Sequence, residues 1–244
     1  MTMQLATPSG RLCAKLDLVF HDFKDRSRRI WDHPEVRQLY PVYLRTMHMV
    51  VRAAVPLMRT ARDAATARGP ADALCTELAG YYDSHMREEA GHDEWLLQDL
   101  GSTGVDPLDA TRRMPSAAVA ELVGAQYYWL CHHHPVSLLG HIAAMEIYHP
   151  PAGFARHLAG LTGYPSTAFR AIRRHEKLDV MHRDELLALL DTLPLEPRHE
   201  ASIGMSALHT LQAGIGVMDE ILSAPIESRT QGEVEVEPRT GAVA

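Results

Sequence analysis

Hydrophobic positions recur along most of the chain at three- and four-residue intervals, and alternating β-branched stretches are absent. Ala, Leu, Met, Arg and Glu fill the segments between breaks, and all are good helix formers. The pattern predicts an all-α bundle. A first helix covers about 10–30, and Asp32-His33-Pro34 ends it, since a residue before proline avoids the helical region. A second runs from Glu35 to about 67, with Pro41 and Pro56 as kink points. "RGP" at 68–70 is a turn, and Pro70 opens a third helix that reaches Leu100 and stops at Gly101. Residues 101–114 read as a loop, and "PSAAVAELVGAQYYWLCHH" as a fourth helix. Pro135 opens a fifth, which Pro150-Pro151 ends, and a short sixth reaches about Thr162. After the turn "GYPS" at 163–166, Ser166 can cap a long seventh helix to about Leu193, and the last covers about 199–223. Residues 225–244 are polar and poor in aliphatics and read as a disordered tail, leaving 1–224 as one helical domain.

The phase of the polar residues on these helices carries the chemistry. In "HEKLDVMH", residues 175–182, a helical turn of about 100° per residue puts Asp179 about 40° and His182 about 20° from His175. All three share a face with Leu178, Leu186 and Leu189, while Arg174, Lys177, Arg183 and Asp184 fall opposite. A buried Asp between two His is costly unless paired or metal-bound. On this stretch alone a metal site and a hydrogen-bonded His–Asp–His cluster both remain open. In "HMREEAGHDEWLLQDL", His85 and His92 lie seven apart, about 20° from one line, with Glu88 and Glu89 flanking it. Glu89 and His92 form an E-x-x-H pair, a spacing of dinuclear carboxylate bundles; at least one of the two glutamates reads as a solvated charge beside Arg87. Glu146 is the one carboxylate of the apolar fifth helix. His141 lies about 140° from it and does not read as its partner, whereas His149, near the Pro-Pro break, could support a site from behind. Inward histidines and carboxylates without a thiolate pair suit non-haem iron or manganese, with zinc as an alternative.

Composition narrows the classes. The chain has 244 residues, a formal net charge of −7 and no basic stripe, so nucleic acid is a poor partner. No apolar run is long enough for a membrane span, and the N-terminal residues lack signal-peptide order. Cys13, Cys75 and Cys131 are scattered, which fits a reducing cytoplasm. The 15 histidines raise the weight of metal chemistry slightly.

The pair seven apart, the isolated Glu146 and H-x3-D-x2-H together resemble the haem-oxygenase-like diiron oxidases and oxygenases. "EEAGHDEWLLQDL" is similar to the iron-containing redox enzymes of that superfamily, and the likeness covers about residues 40–222. It implies a bundle of about seven core helices, two irons, O2 as co-substrate and an external reductant. By position, His85, His92, Glu146 and His182 would hold one iron, and Glu146, His175 and Asp179 the other, with Glu146 bridging. Many members carry Glu where His85 stands, so Glu88 or Glu89 is the alternative ligand; the kept spacing to His92 favours His85. The resemblance implies oxidation of a free amino acid or similar small molecule through a peroxo-diferric intermediate, often in natural-product biosynthesis, with a homodimer allowed. It also implies loosely held iron and a "HEKLDVMH" helix that orders as metal binds. For the substrate, Arg170 and Arg173 could meet a carboxylate and Tyr127 could line a pocket, though each also reads as surface or core. Rival readings within the fold are a haem protein using His21 and the "QAGIG" glycines, or a thiaminase-like enzyme using Cys75 or Cys131. A non-catalytic metal-binding bundle is the rival outside enzymology.

Overall fold

The computed structural model describes residues 6–226. Its helices are α1 Pro8–Trp31, α2 Val36–Val51, α3 Ala54–Arg68, α4 Cys75–Glu88, α5 His92–Ser102 and α6 Pro107–Arg112. They continue as α7 Ala117–His132, α8 Leu138–Glu146, α9 Phe154–Thr162, α10 Arg170–Thr192 and α11 Pro197–Leu222. No strand occurs among the described residues, as the periodicity predicts. Most of the tail expected over 225–244 lies outside those residues.

Local chemistry explains the starts. Thr7, Asp106 and Ser116 each accept a backbone N–H from the first turn of α1, α6 and α7. Glu196 and His199 form a reciprocal cap at α11. The expected cap at Ser166 is not found. That residue opens a single 3-10 turn, Ser166–Phe169, and α10 begins after it. Its N-terminus is held instead by Asp99 of α5, whose Oδ2 accepts Ala171 N–H at 2.8 Å. The expected loop 101–114 contains α6, because Asp106-Pro107 supplies both a cap and a favourable first residue.

Two helices expected to be continuous are broken. The second divides at Arg52–Ala53, into α2 and α3. Pro56 has no N–H for the carbonyl four residues back, which falls at Arg52, so the old helix ends there and proline sits in the first turn of the new one. Pro41 lies inside α2 without ending it. The third expected helix divides at 89–91, where Gly91 adopts φ 84°, a left-handed conformation that costs glycine little.

α11 runs along α1 and α8, α3 packs on α4, and α2 on α5. At Gly140 the backbone of α8 presses onto α11: a Cβ there would lie 2.0 Å from Ile203 O. Two apolar clusters fill the bundle. One holds Leu78, Tyr82, Met86, Leu139, Leu186 and Leu190; the other holds Tyr40, Val50, Leu96, Leu100, Phe169 and Ile172. The boundary between them crosses α10 between Ile172 and Leu186, and crosses α4–α5 between Met86 and Leu96. Glu89, His92, His175, Asp179 and His182 fall in the two gaps, and His85 stands next to Met86 at the edge of one.

Candidate metal centre

α4 carries His85 in its last turn, and Glu89 caps its C-terminus. The turn through Gly91 then places His92 at the first position of α5. α8 ends on Glu146, and α10 presents His175, Asp179 and His182 along one face. His85 Nε2 lies 2.9 Å from Glu146 Oε1, and His182 Nδ1 lies 3.5 Å from the same oxygen. His182 Nδ1 is 3.7 Å from Glu89 Oε1, while His92 Nδ1 is 3.1 Å from Glu89 Oε2. Two groups of candidate ligand atoms result, each spanning no more than 4.8 Å. They are His85, Glu89, Glu146 and His182, and Glu89, His92 and His175. Glu89 belongs to both. Asp179 faces the same space.

The charges are crowded. Burial pushes the Asp179 carboxyl up to about 8, helped by Glu146 and Glu89. Burial alone would also raise Glu146, but hydrogen bonds from His182 and His85 hold it below the usual carboxylate range. Burial opposes charge on His182, yet Glu146, Glu89 and Glu88 together raise it to about 9. His85 is raised against burial by the Glu146 hydrogen bond and charge. Burial lowers His175, whose Nδ1–H donates to Ala171 O at 2.8 Å. That bond fixes the ring and leaves Nε2 as its lone-pair nitrogen, the usual support of a metal-bound imidazole. Glu146 Oε2 and the Nδ1 atoms of His85, His92 and His182 are buried without a well-formed hydrogen bond. Buried carboxylates balanced by imidazolium protons, with ring nitrogens whose carboxylate contacts are poorly formed, make a donor set that a divalent cation would satisfy.

The structure groups the expected residues differently from their carry-over by position. His92 was expected beside Glu146 and His182; it lies with Glu89 and His175. Glu89 is common to both groups, while Glu146, the expected bridge, occurs in one and sits between His85 and His182. The physical reason is the break at 89–91: His85 and His92 no longer share one helical line, and Glu89 is turned inward between them. Glu88 approaches His85 Nδ1 at 3.6 Å and His182 Nε2 at 3.5 Å, but its side chain is 40% exposed. His149 bonds the oxygen of its own neighbour Pro150 and joins neither group. Arg170 pairs with Gln98, Arg173 with Ser166 O, and Tyr127 packs against the apolar core; none lines the space beside the cluster.

That space is a cavity between α8 and the α2–α3 break. α8 contributes Leu138, His141, Ile142 and Met145, and the facing wall includes Val51, Ala54 and Leu57. His85, Glu89, Glu146, His175 and Asp179 form one end. Among the described residues that line it there is no Lys or Arg. Trp95 stands behind the cluster, its ring centroid 3.9 Å from that of His92 and 6.1 Å from that of His175, with Arg174 over its ring at 4.1 Å.

The family described as iron-containing redox enzyme matches residues 38–215. The chain belongs to that family. Solved structures resemble it in fold, one of them described as haem-oxygenase-like. A domain of unknown function from Shewanella denitrificans superposes with a TM-score of 0.69 at 18% identity, covering 88% of each chain. A TenA homolog from Pseudomonas syringae pv. tomato gives 0.61 at 12% identity, covering 86% of this chain and 93% of its own. A CADD-like protein of unknown function from Nostoc punctiforme gives 0.55 at 16%, covering 83% and 96%. No curated protein matches.

For this iron-containing redox family member the rival sites find little support in the geometry. His21 projects from α1 with its side chain 88% exposed, outside the cavity. Cys131 is exposed, and burial pushes the Cys75 thiol up to about 11; neither lines the cavity. Cys75 does lie with Asp72 and His134 in a third group of potential ligands. There Val136 N–H donates to His134 Nδ1 at 3.0 Å, so the ring proton sits on Nε2 and donates to Asp72 Oδ2 at 2.8 Å. That cluster is closed by its own hydrogen bonds. No helix among the described residues is long and apolar enough to cross a membrane.

Proposed function

We propose that this chain is a non-haem diiron oxidase or oxygenase acting on a small, chiefly aliphatic molecule. The observation that carries the reading is the pair of ligand groups joined through Glu89 at the end of an aliphatic cavity. His85, Glu146 and His182 would hold one metal, His92 and His175 the other, and Glu89 both; Asp179, which faces the same space, would be a further carboxylate ligand. Histidines mixed with carboxylates suit iron. A bound iron pair would supply the reduction of O2 and the oxidation of a C–H or C–N bond.

The chain's own residues prepare that chemistry. Binding displaces the protons now shared between His85, His182 and Glu146, and the proton on Asp179, so affinity rises with pH. The Ala171 carbonyl holds the His175 ring in one tautomer. The aliphatic wall from Val51 to Leu57 excludes water from the reacting end and accepts the substrate's carbon chain. Since no Lys or Arg is among the described lining residues, they offer no guanidinium or ammonium for a substrate carboxylate, and a free amino acid becomes one candidate among small aliphatic compounds.

Anaerobic loading with Fe(II), followed by O2 and a panel of aliphatic amines, alcohols and amino acids, tests the reading. Faster O2 consumption with one member, together with an oxidised product, is the expected outcome. Iron uptake with no substrate-dependent O2 consumption across the panel would favour the metal-binding bundle instead.

A further inference from the structure

His141 belongs to none of the ligand groups, yet it is buried and lines the cavity. Its ring is held by a polar chain unusual in so apolar a part of the bundle. Thr210 Oγ1 donates its single proton to Ser206 O at 2.8 Å. The same oxygen accepts from Gln126 Nε2 at 3.2 Å, and Gln126 Oε1 accepts from Ser206 Oγ at 2.8 Å. With its proton spent, Thr210 Oγ1 can only accept at the 3.0 Å contact with His141 Nδ1. The proton of His141 therefore sits on Nδ1, and Nε2 carries a lone pair. Burial lowers the ring's pKa to about 4, so it is neutral at neutral pH.

We propose that His141 Nε2 is the polar anchor of the substrate cavity, accepting a hydrogen bond from an N–H or O–H group on an aliphatic substrate. Leu138, His141, Ile142 and Met145 fall at helical spacing on α8 and bring this acceptor to the cavity wall. Glu146 follows five residues later, about 7.5 Å along the helix axis. A donor group held at His141 thus sets a carbon several bonds away against the iron-binding end. Among the described lining residues His141 is the one polar side chain outside the ligand cluster and Asp179. The substrate class is an aliphatic amine or alcohol, not a molecule fixed by an anionic head. The inference takes its orientation from the diiron reading, but its test does not depend on iron.

The test compares n-pentylamine and n-pentanol with butyl methyl ether, an isomer of the alcohol that lacks a donor. Binding is measured by calorimetry to the full-length protein, metal-free and zinc-loaded. The hydrogen bond should make the donor probes bind about three- to tenfold tighter than the ether. His141→Phe should remove that preference. Should that variant fail to fold, nitrogen-15 spectra of histidine-labelled wild type decide: Nε2 of His141 should appear unprotonated and shift on adding pentanol. Equal binding of alcohol and ether, or a protonated Nε2, overturns the proposal. Failure here leaves the iron count untouched, and a chain that binds no iron pair can still show the His141 preference.

Discussion

Glu88 and Glu89 are neighbours with different surroundings: the side chain of one is 40% exposed and that of the other 12%. Sequence periodicity left both beside the His85–His92 line, because a continuous helix puts them on either flank of it. The turn at 89–91 decides between them, and it depends on a backbone conformation that periodicity does not report. "HEKLDVMH" was legible for the opposite reason: α10 is unbroken from Arg170 to Thr192, so the 3.6-residue repeat holds. The angle of His141 to Glu146 sets it apart from the ligands, and it joins neither group, but its place on the cavity wall was not legible from that angle. That measure assumes one inward face, whereas α8 is buried on almost every side. Trp95 was missed because an aromatic at helical spacing reads as core. Its close ring contact with His92 gives a residue-scale prediction. Binding of a paramagnetic divalent metal should quench a large part of the tryptophan fluorescence, and Trp95→Phe should remove most of that metal-dependent change. A quench carried by Trp31 or Trp129 instead would place the metal elsewhere.

At the scale of elements, helix identity and order were readable, and helix ends were not. Ser166 looked like the cap of α10, but the cap arrives from another helix, through Asp99, a contact between residues 72 positions apart. Glu176 likewise holds the start of α9 by accepting from Gly153 N and Ala155 N. Such tertiary caps leave no local pattern. Burial pushes Asp99 up to about 6, although the Ala171 and Arg170 N–H groups pull it down. The folded state therefore retains a proton that the unfolded chain releases near its ordinary carboxylate value, so this group's contribution to stability falls as pH rises from about 4 to about 6. Asp99→Asn keeps an acceptor and removes the buried charge. Denaturant titrations should show it gaining on wild type between pH 5 and pH 8, while Asp99→Ala loses the cap and costs about 1–2 kcal/mol. At the break before α5, Gly91→Ala forces a left-handed alanine and should cost about 1–2 kcal/mol, with weaker metal binding because Glu89 and His92 flank the turn.

Across the whole molecule, the two apolar clusters meet at a polar belt that neither would tolerate unpaired. If the belt holds metal as proposed, part of the stability of this 244-residue chain depends on that metal despite its extensive core. Metal that binds only the folded chain adds about 2.7 kcal/mol at a hundredfold excess over Kd. For a chain of this size that corresponds to a rise in Tm of roughly 5–10 °C, reversed by a chelator. Amide hydrogen exchange should slow most over α10 on metal binding, and slowing confined to the distant α1–α11 contact would argue against the belt as the metal site. The haem-oxygenase-like fold was legible as a whole because helix number, order and inward polar positions all survive a few misplaced ends. The pairing of ligands was not, because it turns on one glycine.

The most direct measurement is the number of irons bound per chain after anaerobic Fe(II) loading and removal of excess metal, for wild type and Glu89→Ala. A centre built on a carboxylate common to two ligand groups predicts about two irons in the wild type and no more than about one in the variant. A wild type that binds a single iron, or a Glu89→Ala chain that keeps both, would contradict it.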